Sequence, residues 1–324
     1  MYHGACTGQE WKKSVRWQKG VKQMRIAIEN EILKAEVETF GAELQSIVKK
    51  ETNQEYMWEA DSAFWGKSSP ILFPFIGKLE DFTYRYHGRE YPQEKHGFAR
   101  DMDFKVKVQE KDRLVLAIEN TAETLAKFPF SFELEVEYCV KGNRLSEQWR
   151  VHNRSDETMY FSMGGHPAFA CPLIKDGVRS GKRTICSVKL YGVDGREALD
   201  STEIDIKAGL TTGKTFPVAV KDGVFPIVDH IFDGDALVFG KQGVTAAGLL
   251  DENGTEYVRL EAPTCPVWGI WSMPTNDASY VCFEPWWGIC GEKGEKAVLN
   301  EHPYTNHAEA GKVWQEGFEI VIVS

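Results

Sequence analysis

The chain has 324 residues, ten Trp and eighteen Phe among them, and a formal net charge of −10. That is apolar material for one large core or two smaller ones, and the acidic balance argues against nucleic acid or an anionic membrane as a partner. Seven scattered cysteines with no CxxC pair disfavour a zinc site or a disulfide framework and suit a reducing, cytoplasmic compartment, and no apolar run approaches the ~18 residues of a membrane span.

Residues 1–23 differ in kind from the rest. They hold Lys12, Lys13, Arg16, Lys19 and Lys22 and two tryptophans, without the apolar stretch of a secretory signal. We read Met24 as the natural start and 1–23 as an N-terminal extension outside the fold, the alternative being an ordered basic arm. From Met24 onward the chain is a succession of short alternating runs. Ile26 and Ile28 alternate with Ala27 and Glu29, and 34–39, the run ending at Ile47-Val48, and 55–59 follow. Residues 69–78 carry two prolines in an apolar setting and read as an irregular segment lining an interior. A hairpin is expected over 81–91, turning at His87-Gly88, then strands over 104–108 and 113–120 and one helical turn over 122–127. Phe132, Leu134, Val136, Tyr138 and Val140 share one face of the cleanest strand, and Lys141-Gly142-Asn143 turns it into 144–151. Strict period two across such a turn is a hairpin signature.

Residues 174–183 and 194–203, rich in Gly, Asp and Lys, read as surface loops. Strands are expected over 218–224 and 236–239, a hairpin over 248–253 and 256–260, and strands over 267–272 and 280–284 flanking the loop 273–279. A closing strand is expected over 318–323. No long helical periodicity, linker, repeat or low-complexity tract divides the chain. Short runs punctuated by Gly, Asn and Asp define an all-β protein, a sandwich or barrel, with 24–324 as a single domain.

Three segments carry chemistry-bearing residues: His96-Gly97-Phe98-Ala99-Arg100, Gly164-Gly165-His166-Pro167-Ala168-Phe169, and Glu284-Pro285-Trp286-Trp287-Gly288. By residue physics alone, His166 follows two glycines that permit close approach or unusual φ angles, and precedes a proline that restricts its geometry. A buried histidine bonded to a carbonyl satisfies that pattern as well as a catalytic one. Glu284 ends an apolar run before Pro285, where an edge glutamate in solvent is the bland alternative. Taken together and in this order, the three segments resemble the aldose 1-epimerase (galactose mutarotase-like) superfamily, in its LacX-type branch, over nearly all of residues 24–324. The resemblance implies a large antiparallel β-sandwich, the supersandwich of that superfamily, and an activity that interconverts the α and β anomers of a hexose.

That reaction needs no cofactor and no metal. One group takes the proton of the anomeric hydroxyl, another protonates the ring oxygen, and the ring reopens and closes about C1–C2. The resemblance implies Glu284 as the base and His166 as the acid, on opposite sides of C1 and O5. It implies sugar binding by His96 and, in the segment before it, by Lys78, where the family commonly has an arginine whose bidentate fork a lysine lacks. Arg100 is a candidate for hydroxyls or a phosphate. Asp229 is a candidate for hydroxyls through the Asp229-His230 pair, with Asp235 competing for the role. Of the four tryptophans Trp268, Trp271, Trp286 and Trp287, at least two are expected in the core, and Trp286 is the stacking candidate. The expected partner is a small-molecule sugar. The alternatives are a hexose-6-phosphate 1-epimerase, which needs a basic pocket for the phosphate, and a non-catalytic carbohydrate-binding or sugar-sensing protein on the same scaffold.

Overall fold

The computed structural model describes residues 24–175, 178–179, 181–275 and 277–323, with the backbone of two short strands at 17–18 and 21–22. The expectation that 1–23 is an extension therefore falls outside the described residues, apart from that backbone. The described chain is built of antiparallel β-structure around two large sheets of nine and eight strands and a four-stranded sheet formed by the first strands, Arg25–Glu29 to Gln54–Glu55.

The nine-stranded sheet runs Lys105–Gln109, Arg113–Glu119, Phe132–Lys141, Arg144–Asn153, Val313–Ile322, Glu256–Glu261, Ala246–Leu250, Ser187–Tyr191 and Val224–Pro226. The hairpin signature at 141–143 is realised, with Lys141 opposite Arg144 and Phe132 opposite Asn153. The C-terminal strand closes the sheet by pairing with both Arg144–Asn153 and Glu256–Glu261. One face of these strands is apolar. The other carries cross-strand ion pairs, among them Lys107 with Glu133 and Glu135, Arg113 and Arg150 with Glu137, and Arg144 with Glu261 and Glu319. Half-exposed pairs of this kind contribute little each, and their use is to keep one face of a wide sheet wet.

The eight-stranded sheet runs Leu210–Ala219, Ala198–Asp205, Leu237–Gly240, Val267–Trp271, Tyr280–Trp287, Met163–Gly165 and Ile71–Leu72, with Ala168–Ala170 also paired to Tyr280–Trp287. The two sheets meet through large side chains. Trp149 stands edge-on to Trp287 at 5.6 Å between ring centroids and to Phe318 at 5.5 Å, and the Tyr257 hydroxyl donates to the Ala170 carbonyl at 3.0 Å. Such edge-to-face contacts add to the area burial that holds the layers together.

Several expectations are corrected by the structure. Ala198–Asp205 is a strand, not a loop. A register shift between Thr202 and Ile204 breaks its parity, so buried Leu199, Ser201 and Ile204 do not read as a regular alternation. At the end of the expected loop 174–183, Arg183 is not on the surface: it is 2% exposed and donates to Ser272 Oγ and the Met273 carbonyl, both at 2.8 Å. The strand expected over 218–224 is the end of Leu210–Ala219 and the start of Val224–Pro226, with Asp222 and Gly223 at positive φ between them. The helical turn Ala122–Lys127 is present and is capped reciprocally by Thr121 and Thr124.

One buried acidic group stands out in the nine-stranded sheet. Glu147 is 1% exposed, accepts a hydrogen bond from Trp149 Nε1 at 2.9 Å, and burial pushes its pKa from 4.5 up to about 8. The folded protein thus keeps a proton that the unfolded chain releases. This contribution to stability is present below the unfolded value and is lost as pH rises toward the folded one, by at most about 1.4 kcal/mol per pH unit. Glu147→Gln is expected to raise the thermal midpoint near pH ~8.5 and to change it far less near pH ~5; calorimetry at the two pH values checks this.

Candidate active site

The strand Tyr280–Trp287 is buried along its whole length. Period two divides its side chains between two environments. Val281, Phe283 and Trp287 enter the main core between the sheets. Tyr280, Cys282 and Trp286 point the other way, into two smaller apolar clusters, and Glu284 lies on their side of the strand. The carboxylate is 2% exposed and opens on a cleft of about 300 Å³ lined by Trp65, His96, Arg100, His166, Asp235, Trp271 and Trp286 among others. This volume is at the lower end of the ~300–1,000 Å³ range of small-ligand pockets.

His166 reaches Glu284 because the neighbouring strand is interrupted there. Met163 and Gly164 pair with Trp287 and Trp286, Ala168–Ala170 pairs with Tyr280 to Cys282, and in the gap between them the register sets His166 opposite Glu284 and Pro167 opposite Phe283. Neither Pro167 nor Pro285 has an amide hydrogen to leave unpaired where the ladder breaks, and the Phe283 amide donates to the Pro167 carbonyl at 3.0 Å. Across the gap His166 Nε2 lies 3.0 Å from Glu284 Oε2. The paired glycines serve close approach. A Cβ on Gly164 would stand 2.9 Å from Ile76 Cδ1 and from Trp286 Cδ1, and one on Gly165 would stand 2.7 Å from Phe318 of the facing sheet.

Aromatic rings enclose the pair. Trp65 stacks on the His166 imidazole at 4.8 Å and 30°, and Trp271 meets it edge-on at 5.7 Å. The segment carrying Trp65 is tied down on both sides. Trp58 Nε1 donates to the Trp65 carbonyl at 2.9 Å, and the buried Glu43 carboxylate accepts from the amides of Ser68 and Ser69 at 2.6 and 3.1 Å. Gly269, opposite Glu284, leaves room for the Trp286 ring, whose atoms would lie 2.9 Å from a Cβ there. The Trp286 indole N–H and His166 Nδ1 are buried without a hydrogen-bond partner among the described residues.

His96 stands 5.9 Å from His166 between ring centroids, nearly perpendicular to it. The Gly77 amide donates to His96 Nδ1 at 3.1 Å, so the ring proton sits on Nε2. Burial first, and then the electrostatic influence of His166, Arg100 and Lys95, hold its pKa well below the ordinary histidine range. His96 is therefore a neutral donor. Cys282 is likewise neutral, since burial and the adjacent Glu284 push its thiol well up.

Of the residues singled out in the sequence, His166, Glu284, His96, Arg100 and Trp286 line one cleft. Arg100 Nη2 donates to the Lys95 carbonyl at 2.9 Å, and its Nε lies 3.5 Å from Asp101. Lys78 is not among the lining residues, and its ammonium sits 4.4 Å over the Phe82 ring. Asp229 is exposed and off the cleft, while Asp235 lines it, at φ +78°, with its carboxylate accepting from the Ala236 amide at 2.8 Å. Trp268 and Trp287 are core residues, and Trp271 and Trp286 face the cleft. Sequence reasoning missed Trp65 and Lys95. Lys95 sits beside His96, and Trp65 follows Phe64 in a stretch otherwise made of Asp, Ser, Ala, Gly and Lys, where the adjacent aromatic pair is the only signal.

The fold is that of the galactose mutarotase-like proteins, a class of the sugar epimerase families. The chain belongs to the aldose 1-epimerase family, whose sequence profile matches residues 24–320. It is 26% identical to the plasmid-encoded protein LacX of Lactococcus lactis subsp. lactis, over 93% of this chain and 100% of that protein. Among solved structures it is similar to a galactose mutarotase related enzyme from Lactobacillus acidophilus (32% identity, TM-score 0.83, 93% of this chain and 98% of that one). It is also similar to a galactose mutarotase-like protein from Lactobacillus casei (29% identity, TM-score 0.85, 93% and 100%). Among the described residues no helix is long and apolar enough to cross a membrane.

Gly165→Ala is expected to destabilise the fold by about 1–3 kcal/mol, because the added methyl overpacks against Phe318 between the sheets. A urea unfolding curve with a lowered midpoint and an unchanged slope is the expected outcome, and an unchanged midpoint would contradict the close packing described.

Proposed function

We propose that the protein is an aldose 1-epimerase that interconverts the anomers of a free hexose, with Glu284 as the base and His166 as the acid. The observation that carries this reading is the 3.0 Å contact between His166 Nε2 and Glu284 Oε2 at the floor of an aromatic cleft. Both reacting oxygens of a pyranose are attached to the same carbon, so an acid and a base that close together reach both. A sugar entering the cleft replaces their mutual hydrogen bond. Glu284 takes the anomeric hydroxyl proton while His166 gives its proton to the ring oxygen, and the C1–O5 bond breaks. The open aldehyde turns about C1–C2, and closure reverses both transfers, returning each group to its starting state.

The neighbours fit supporting roles. His96, neutral with its proton on Nε2, donates a hydrogen bond to a sugar oxygen without competing as an acid. Trp286, Trp271 and Trp65 offer apolar faces to the C–H surface of a pyranose, and the Trp286 N–H supplies a donor. Asp235 and Arg100 are the polar groups available to more distant hydroxyls.

One observation favours a second reading, a hexose-6-phosphate 1-epimerase: Lys95 and Arg100 both line the cleft. Arg100→Ala assayed on free glucose and on glucose 6-phosphate separates the two. An equal effect on both sugars selects the free hexose, and a loss confined to the phosphorylated one selects the second reading. For the chemistry itself, polarimetry of anomer equilibration is expected to show Glu284→Gln and His166→Asn each slowed by about 10²–10⁴-fold. Acceleration that survives Glu284→Gln would mean that another group is the base.

A further inference from the structure

We propose that His166, Cys282 and Glu284 form a binding site for a thiophilic divalent cation such as Zn²⁺, and that the bound cation shuts off the proton-transfer pair. Each of the three residues places one ligand atom within 4.8 Å of the others, and all three are buried. Tetrahedral zinc, with bonds of about 2.0–2.3 Å, sets its ligand atoms roughly 3.4–3.7 Å apart. His166 Nε2 and Glu284 Oε2 are already closer than that, at 3.0 Å, so side-chain rotations of about an ångström complete the set. The donor set of imidazole, thiolate and carboxylate matches what zinc takes from proteins.

The placement explains why the sequence spacing conceals the site. Cys282 and Glu284 are two residues apart on one face of a strand, and His166 comes from the gap in the strand beside it. His166 and Glu284 line the cleft, whereas Cys282 does not and lies behind them. An ion entering from the cleft meets the histidine and carboxylate first and the sulfur last, and its fourth position faces the cleft. Charge favours it as well. Thiolate and carboxylate together offset a divalent cation, a condition for burying one. A second three-ligand group, Glu133, Glu135 and His152, lacks that vacancy of charge: Arg150 lies 2.8 Å from Glu135, Arg154 2.6 Å from Glu133, and Lys107 contacts both. Among the described ion pairs Glu284 has only His166.

Binding exchanges protons and no electrons. The cation displaces the thiol proton of Cys282 and any proton held on His166 Nε2 to solvent, forming bonds to sulfur, nitrogen and oxygen. His166 then has no proton to give and the Glu284 lone pair is engaged, so ring opening stops. Ligating histidines ordinarily donate from their other nitrogen, and His166 Nδ1 has no such partner among the described residues. The site is accordingly reversible and inhibitory, not structural.

The blocking half of this inference rests on the proposed mutarotase reading, and the binding half does not, so each is tested separately. Titrating the chelator-treated full chain with Co²⁺ is expected to produce a thiolate-to-cobalt charge-transfer absorption at one ion per chain. Zn²⁺ should abolish it, and Cys282→Ala should lack it, with the nearly isosteric Cys282→Ser as the second variant should the alanine fail to fold. No band in the parent, or the same band in both variants, overturns the site. In the polarimetric assay Zn²⁺ is expected to inhibit the parent reversibly by chelator, and inhibition should weaken at least ~10-fold in the Cys282 variants. Equal inhibition of parent and variants overturns the proposal. A cobalt band that depends on Cys282 in a protein without mutarotase activity upholds the site and removes the functional reading alone.

Discussion

Glu284 sits at 2% exposure in a strand whose other side chains are almost all apolar. A carboxylate there is costly unless a partner is held against it, and removing one member of such a pair typically costs about 3–5 kcal/mol. The architecture of the eight-stranded sheet around this point follows from the need to deliver His166. The strand beside Glu284 breaks at His166-Pro167, two glycines let the broken ends approach Trp286 and Phe318, and Gly269 clears space on the other side. What looks like a defect in the ladder is the device that turns an imidazole onto the cleft side of the sheet, away from the core between the sheets.

The same strand couples the site to the rest of the fold. Its alternate residues Val281, Phe283 and Trp287 are fixed in the core between the sheets, against Phe169 and Trp149. Glu284 and Trp286 therefore inherit their positions from packing on the opposite side, and no hydrogen bond has to hold Trp286 in place. Around them the two histidines have different electrostatic settings. His96 accepts from a backbone amide and is held neutral by burial, with Arg100 and Lys95 nearby. His166 instead faces the Glu284 carboxylate at 3.0 Å and lies stacked on the Trp65 indole. Two residues of one type thus stand in different surroundings within one cleft, as the two roles proposed for them require.

The fold was legible wherever one face of a strand is buried and the other is wet. Phe132–Lys141 and its hairpin partner announce themselves by period two, and the three His/Arg/Glu-bearing segments converge on one cleft although about 190 residues of sequence separate the first from the last. Legibility failed for physical reasons elsewhere. The bulge in Ala198–Asp205 shifts parity, so its alternation cancels. Trp65, Lys95 and Asp235 reach the cleft from irregular segments, where neighbours in space are set by packing and not by periodicity. Asp229 and Asp235 are six residues apart in one such segment, and only the chain's path through Phe232 to the strand Leu237–Gly240 decides that Asp235 faces inward.

The central claim is that a histidine and a buried glutamate, hydrogen-bonded to each other, exchange protons with a sugar at C1. Magnetisation-exchange NMR between the α and β anomeric protons of glucose and galactose, with the unmodified protein at catalytic concentration, tests it most directly. The account predicts exchange well above the buffer rate for at least one of the two sugars. Exchange at the buffer rate for both, with binding of the same sugars detected by their line widths, would contradict it and leave a carbohydrate-binding protein on an epimerase scaffold.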